Sequence, residues 1–305
     1  MKFNVTYSKN FRHLQEVEEV TIPFEHGDIE ILTLLKEIPR EQKVNLRMFS
    51  LYGLAENADI LEAAAQVHSN LAVRLTISQF GPLLNQIKDD IKKYLIDKNI
   101  AFYLEIFVSS WDGLAALIEL GVSEVFISNQ LAFDLERVSL YCRDKNIKVR
   151  VIPNIAQAEG MASVQRDTFK AFFIRPEDLD YYENLIDTLE ICSLNTVRES
   201  VVYDIYKNRE WLGDLKDLIE GLDVSVYSKN IPPMFGEKRV FCQKRCYQNR
   251  CNLCDNILTL AEELKSNKIE IVREEEIVKD EHKINEVLVS LKQRAGIPVS
   301  NSGTE

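Results

Sequence analysis

Residues 101–128 read AFYLEIFVSSWDGLAALIELGVSEVFIS, in which a helical run separates two β-rich runs. Strands that alternate with helices along a chain form parallel sheets, because each crossover returns the chain to the same end of the sheet. This strand–connection unit occurs eight times between about residues 18 and 222. Eight units are the number that closes a barrel, so the sequence predicts an α/β fold with a (β/α)8 TIM-type barrel.

An open doubly wound sheet is the alternative arrangement of the same units. No glycine-rich phosphate loop of the type G-x-G-x-x-G follows the first strand, which disfavours a nucleotide-binding fold. After a leading run, MKFNVTY, the eight predicted strands are, in order, EVTIPF, VNLRMFS, LAVRLTIS, AFYLEIFVS, SEVFIS, KVRVIPN, FKAFFIR and TLEICS.

The alternation of strand and helix patterns ends after Gly221, where a loop-like stretch leads into a cysteine-rich segment. A helical run, DNILTLAEELKS, and a charged segment follow it. We therefore predict three parts. They are a barrel over residues 1–225, a cysteine-rich metal-binding C-terminal extension with helices over 226–296, and a disordered tail over 297–305.

The composition limits the classes of partner. The chain has 305 residues, of which 46% are hydrophobic, and a formal net charge of -11. This acidic balance argues against general DNA binding and against binding to an anionic membrane surface. No apolar run approaches the roughly 18 residues of a membrane span, and the N-terminus has no apolar signal core. We expect a soluble, cytoplasmic protein with no membrane partner.

Four cysteines lie close together in the run VFCQKRCYQNRCNLCDN, with the spacing C-x3-C-x4-C-x2-C. In a reducing cytoplasm disulfides are disfavoured, so clustered cysteines indicate a metal site; two disulfides or four idle thiols are the alternatives. Cys142 and Cys192 lie apart in apolar elements and are expected to be core residues. The predicted metal ligands are Cys242, Cys246, Cys251 and Cys254.

The spacing favours an iron–sulfur cluster over zinc without excluding zinc. Zinc ribbons separate two C-x2-C knuckles by a dozen or more residues, whereas a [4Fe–4S] cluster accepts closely spaced thiolates from one loop. Basic residues around the group can offset the thiolate charge, or alternatively contact RNA or another anionic partner. These basic residues are Lys238, Arg239, Lys244, Arg245 and Arg250.

Strand alternation places charged side chains inside the predicted barrel. In LAVRLTIS the apolar residues must face the surrounding helices, which turns Arg74 inward. Buried charges must pair, so the inward set is either a structural ion-pair network or the floor of a site for an anionic ligand. The complete predicted layer is Arg47, Arg74, Glu105, Arg150 and Glu190.

Active sites of such barrels lie at the C-terminal ends of the strands. The residues predicted there are polar and mostly neutral, and His26 is the one histidine among them. A Ser–His–Asp hydrolase needs a histidine beside its nucleophile, and no H-E-x-x-H motif is present, so hydrolysis has little support. We predict His26, Asn154 and Arg175 as substrate contacts.

The segment LIELGVSEVFISNQLAFDLERV, the following VRVIPNIAQ and the late cysteines resemble the collagenase-like peptidase family. Relatives in that family are iron–sulfur barrel proteins that hydroxylate RNA bases or a quinone precursor. The resemblance covers about residues 100 to 190 and the cysteines loosely, and the cysteines are more compact here than is usual in the family. A looser similarity to radical S-adenosylmethionine enzymes lacks their cysteine motif after the first strand.

The resemblance implies an iron–sulfur-dependent modifying enzyme that hydroxylates RNA or a small molecule. Two alternatives stay open. One is a non-catalytic barrel whose structural zinc site supports binding of a protein or RNA partner. The other is a peptidase, which would take a peptide substrate.

Overall fold

The structure is a computed structural model. It describes residues 1–7, 11–24, 29–48, 53–76, 90–105, 107–108, 110–119, 122–127, 129–156, 168–192, 199–240 and 252–266. The predicted tail over 297–305 and the last part of the predicted extension, from residue 267, lie outside the described residues.

A parallel, curled sheet forms the centre of the fold. Its strand segments are β1 Lys2–Thr6, β2 Glu19–Phe24, β3 Lys43–Met48, β4 Leu71–Thr76, β5 Ala101–Glu105, β6 Phe107–Val108, β7 Glu124–Ile127, β8 Lys148–Val151 and β9 Thr188–Ile191. They are hydrogen-bonded in the order β5-β4-β3-β2-β1-β9-β8-β7-β6. Since a single residue separates β5 from β6, the nine segments represent eight strands, an arrangement compatible with a TIM-like fold.

Helices follow most of the strands. They are α1 Ile31–Glu37, α2 Gly53–Glu56, α3 Ala58–Val67, α4 Trp111–Glu119, α5 Asn129–Ala132, α6 Leu135–Asp144, α7 Leu179–Tyr182, α8 Glu199–Asn208, α9 Leu215–Leu218, α10 Met234–Val240 and α11 Leu253–Ser266. Shorter helical turns of other types cover Lys92–Ile96, Pro176–Asp178 and Ser228–Asn230. Where a helix packs on the sheet, residues at helical spacing are buried: in α6 these include Leu135, Val138 and Cys142.

The strands are apolar on the face that meets the helices. In β3, Val44, Leu46 and Met48 are buried in the main hydrophobic core, and the alternate residues point to the opposite face. A sheet that curls with its helices outside encloses that opposite face. Its polar and charged side chains are consequently removed from water.

One strand of the sheet differs from the prediction: MKFNVTY is part of the sheet, and FKAFFIR is not. The leading run MKFNVTY contributes β1, which pairs with β2 on one side and β9 on the other. The predicted seventh strand, FKAFFIR, does not join the sheet, because β8 pairs directly with β9 through Arg150 opposite Thr188. Residues 171–175 of that run are buried. Phe172 forms an isolated bridge, and Ile174 donates its backbone N–H to the carbonyl of Pro153 at 2.9 Å. Phe172 packs against Phe133, and Phe173 packs against Phe235 of α10.

Gly236 in α10 provides a test of how tightly this helix packs against Asp178. A Cβ at Gly236 would lie 2.3 Å from Oδ1 of Asp178. Asp178 cannot withdraw, because Arg175 binds both its oxygens: Nε–Oδ2 is 2.7 Å and Nη2–Oδ1 is 2.6 Å. Gly236→Ala is therefore expected to cost about 1–3 kcal/mol of overpacking. The better helix propensity of alanine returns about 1 kcal/mol.

The measurement is the midpoint of urea unfolding for the wild type and Gly236→Ala. Glu237→Ala, at an exposed position of the same helix, is the matched control and should leave the midpoint unchanged. A Gly236→Ala variant as stable as Glu237→Ala would show that α10 can move away from Asp178.

Candidate functional site

The interior of the sheet holds a buried ion-pair network centred on Arg150. Its Nη2 lies 2.6 Å from Oε2 of Glu19 and 3.0 Å from Oε2 of Glu124, and its Nε lies 3.1 Å from Oε1 of Glu124. Its Nη1 is 3.2 Å from Oε2 of Glu190. One arginine thus bridges carboxylates from β2, β7 and β9, using the planar, forked geometry of the guanidinium.

Arg74 of β4 enters the same network from another side. Its Nη1 lies 2.6 Å from Oε2 of Glu190, and both side chains are fully buried. Phe126 packs beneath two of the cations, with its ring centroid 4.1 Å from Arg74 Cζ and 5.6 Å from Arg150 Cζ. An aromatic face against two guanidiniums stabilises them further, because its quadrupole attracts positive charge.

Strand register brings these groups to one level. Asn4 of β1 is in register with Glu19 on one neighbouring strand and with Glu190 on the other. Its amide Nδ2 donates to Glu190 Oε2 at 3.1 Å and to Thr21 Oγ1 at 2.9 Å. Burial of a charge without partners costs several kcal/mol, and this register supplies the partners from strands far apart in sequence.

The network shifts the pKa values of its carboxylates. Burial alone would raise the pKa of Glu19, but the charges and hydrogen bonds of Arg150 and Lys43 lower it to about 2. The pKa of Glu190 is likewise lowered: desolvation opposes the shift, and the charges of Arg74, Arg150 and Arg47 outweigh it. Both groups are therefore carboxylates at neutral pH.

The structure brings together four of the five residues predicted for the interior layer: Arg47, Arg74, Arg150 and Glu190. Arg47 is half-buried on β3, in register with Arg74. Glu105 is in β5, in register with Thr76, and its side chain lies outside what the structure describes.

Sequence reasoning missed two acidic members, Glu19 and Glu124. Each begins its strand and alternates with apolar residues that face the helices. The alternation that predicts an inward Arg74 applies equally to Glu19 and Glu124, but the prediction did not extend to the first residue of each strand.

Two of the predicted substrate contacts are engaged inside the protein. Asn154 is fully buried, and its side chain exchanges two hydrogen bonds with the backbone of Cys192, of 2.9 and 3.1 Å. Arg175 binds Asp178, donates to the carbonyls of Ser228 and Ile231 at 3.2 and 3.3 Å, and is 2% exposed. Substrate contact by either side chain stays a prediction, and it would compete with these bonds. His26 lies outside the described residues.

The described residues that flank the cysteine group contact one short segment, residues 168–172. Arg239, at the end of α10, donates to the carbonyls of Phe169, at 3.1 Å, and Ala171. Asp255, in the first turn of α11, pairs with Lys170 at 3.1 Å. Both ends of the group are thus attached to the same place, although Cys242, Cys246 and Cys251 themselves lie outside the described residues.

Two further observations concern the metal prediction. Cys254 is half-buried in α11 and packs against the core. Arg239 is buried, with its guanidinium 4.4 Å from the ring of Phe173, so it contributes to the packing of α10. Its proposed compensation of thiolate charge stays a prediction. Within the described part of the chain, no three His, Cys, Asp or Glu residues are grouped so that they could hold a metal ion.

Comparison of the chain with models of known protein families and with curated proteins finds no match. Among the helices that the structure describes, none is both long and apolar enough to cross a membrane. The fold and the buried network define the class of this protein: an α/β protein with a parallel, curled, eight-stranded sheet and a charged interior.

The ion-pair network predicts a specific dependence of stability on pH. The folded-state pKa of Glu19, about 2, lies below its ordinary value of 4.5. Its contribution is therefore fully present above about pH 4.5 and is lost as the pH falls through about 2. Glu19→Gln is expected to lower the free energy of unfolding by roughly 2–3 kcal/mol near neutral pH and by much less near pH 2.

Urea unfolding of the wild type and Glu19→Gln at several pH values measures this difference. Glu210→Gln, at an exposed carboxylate, is the control and should parallel the wild type. A Glu19→Gln penalty that stayed constant down to pH 2 would mean that ionisation of Glu19 does not stabilise the fold.

Arg239→Met tests the attachment of the extension. Methionine keeps the apolar packing on the aromatic rings but leaves two backbone carbonyls without their donor, which costs about 1–3 kcal/mol per group. We expect faster tryptic cleavage within residues 241–251 and weaker amide-exchange protection in α10. Lys238→Met, one residue earlier, is the matched control, and equal cleavage of the two variants would contradict the role of Arg239.

Proposed function

We propose that this protein is an iron–sulfur-dependent modifying enzyme built on a closed (β/α)8 barrel. In this proposal Cys242, Cys246, Cys251 and Cys254 hold a [4Fe–4S] cluster, and the substrate binds at the C-terminal ends of the strands. The observation that carries the proposal is the spacing of the four thiols on a segment whose two flanks are attached to one place. Four thiolates complete the ligand set of such a cluster.

Strand pairing supports closure of the barrel. β5 pairs with β4, and β6 pairs with β7, at the two ends of the hydrogen-bonded order. Only residue 106 separates β5 from β6, so the two edges of the sheet belong to one stretch of chain. A strand that pairs with one neighbour in its first half and with another in its second half is the staggered arrangement expected of a tilted barrel strand.

The attachment of the cysteine group supports a position near the strand C-termini. Ile174, at the end of the run that contains residues 168–172, donates its backbone N–H to Pro153, just beyond the C-terminal end of β8. Phe172 packs against Phe133, which follows α5 beyond the C-terminal end of β7, with ring centroids 5.8 Å apart. A group anchored here starts and ends on the side where barrel enzymes carry out their chemistry.

The reaction class comes from the resemblance to the collagenase-like peptidase family. It suggests hydroxylation of RNA or of a small molecule. A bound cluster would supply electron transfer or a substrate-binding iron. The contribution of the chain itself would be the shape of the interior and the charges that position the substrate.

The second candidate is a non-catalytic barrel in which the cysteines hold a structural zinc ion. One observation favours it: Asn154 and Arg175 make hydrogen bonds within the protein, which reduces the number of polar groups available for catalysis. In that case the extension would present a surface to a protein or RNA partner. Peptide hydrolysis has the least support, because no histidine-based catalytic group is present among the described residues near the strand ends.

Purification without oxygen, followed by metal and sulfide analysis, tests the proposal. Protein with a broad absorbance near 400 nm and about four iron and four sulfide per chain is expected. Cys251→Ser should lose most of the metal, and Cys142→Ala, at a buried thiol outside the group, should retain it. Colourless protein with one zinc per chain would support the second candidate instead, and metal retained by Cys251→Ser would contradict the ligand assignment.

A further inference from the structure

The described part of the connection between β1 and β2 contains no helix, and it is bound to α8, the helix that follows β9. Residues 11–18, the strap, lead to the start of β2. The backbone N–H of Arg12 donates to Oγ of Ser200 in α8 at 3.0 Å, and the hydroxyl of Tyr203 donates to the carbonyl of Glu16 at 3.3 Å. Since α8 packs against β1 and β9, the strap is attached to the helix that covers the pairing of these two strands.

One histidine of the strap lies between two carboxylates. Nδ1 of His13 is 3.0 Å from Oε1 of Glu16 in the strap, and Nε2 is 3.2 Å from Oδ2 of Asp204 in α8. A neutral imidazole has a single N–H and can donate to one of these carboxylates, whereas the protonated ring donates to both. The two contacts are therefore favourable together only when His13 is charged.

Aromatic rings hold the imidazole in this position. The ring of Tyr203 lies 5.5 Å from that of His13, with an interplanar angle of 34°, and the ring of Phe11 lies 6.1 Å away, edge-on. Phe11 is buried and also packs against Tyr203, with ring centroids 5.9 Å apart. The side chain of His13 is 24% exposed, so it can exchange protons with solvent while its contacts are partly shielded from water.

The charges around the ring balance only when it is protonated. Lys207 of α8 pairs with the second oxygen of the Glu16 carboxylate, so Glu16 and Asp204 meet two cations when His13 is charged and one when it is neutral. The pKa of Glu16 is lowered by its hydrogen bond with Lys207 and then by that with His13, and the pKa of Tyr203 is raised by burial. Glu16 therefore stays ionised, and Tyr203 neutral, between pH 5 and 8.

The other charged residues of the strap are Arg12 and Glu18. Both are exposed, and Glu18 accepts a hydrogen bond from the backbone N–H of Phe3 in β1 at 2.9 Å. Of the side-chain types on the strap, only histidine ordinarily changes its charge between pH 5 and 8. A change of the strap within that interval is therefore assigned to His13.

We propose that His13 is a pH-sensitive clasp, which fastens the strap to α8 when its ring is protonated and releases it when the ring is neutral. The stabilisation is present at the acidic end of the interval and is lost as the pH rises. Because the strap follows the C-terminal end of β1, its release gives the chain more freedom on the side where such barrels carry out their chemistry. The inference depends neither on the metal nor on the proposed reaction.

Amide hydrogen exchange of the full-length protein, followed by mass spectrometry, measures how readily residues 11–18 open. The observed rate is divided by the intrinsic rate at each pH, so that the pH dependence of the exchange chemistry cancels. We expect the opening constant of the strap to rise about three- to tenfold from pH 5.5 to pH 8, a modest change because ion pairs this exposed contribute little. An opening constant that is equal at the two pH values would overturn the proposal.

Two variants separate His13 from the rest of the cluster. His13→Gln keeps a donor but has no charge to lose, so its strap should open equally at both pH values and as readily as that of the wild type at pH 8. Lys207→Met, the matched control, removes the permanent partner of Glu16 and should open the strap further at both pH values while the pH dependence remains. A pH dependence that persisted in His13→Gln, or that vanished in Lys207→Met, would assign the change to another group.

Discussion

The need to neutralise Arg150 inside the sheet is the constraint on which the rest of the structure depends. Its guanidinium contacts carboxylates from β2, β7 and β9 at 2.6 to 3.2 Å, so four strands that are distant in sequence must hold one register. A slip of one residue in any of them would turn a charge into the apolar layer under the helices. The ion pairs are weak evidence for high stability, but they specify how the strands must be arranged.

The same constraint connects the fold to function. A curled parallel sheet encloses its inner face, and the ion-pair network of that face packs against the apolar cluster of Phe126, Ile152 and Cys192. The extension docks beside those strand ends through Arg239 and Asp255. The proposed metal centre would then lie on the side of the strand C-termini, where proteins of this architecture carry out their chemistry.

The alternation of apolar and polar residues predicted most of the strands correctly. It was wrong for FKAFFIR, an extended run that lies outside the strand order of the sheet. FKAFFIR is apolar, aromatic and bounded by turns, as a strand would be, yet it supplies none of the nine strand segments, and its Phe173 packs against Phe235 of α10. MKFNVTY, which supplies β1 instead, also alternates, but it precedes the first of the eight predicted strand–connection units. Pairing depends on which strand lies alongside, and a single strand does not carry that information.

The sequence by itself determined the parallel α/β class, the inward direction of Arg74, Arg150 and Glu190, and the grouping of the four cysteines, because periodicity and spacing are local properties. Only the tertiary structure decided which carboxylate meets which arginine, that Asn154 clamps the backbone of Cys192, and that Arg239 serves packing. The physical reason is that hydrogen bonds and ion pairs join residues tens to more than a hundred positions apart, as Arg74 and Glu190 show, and such partners are chosen by strand order and register.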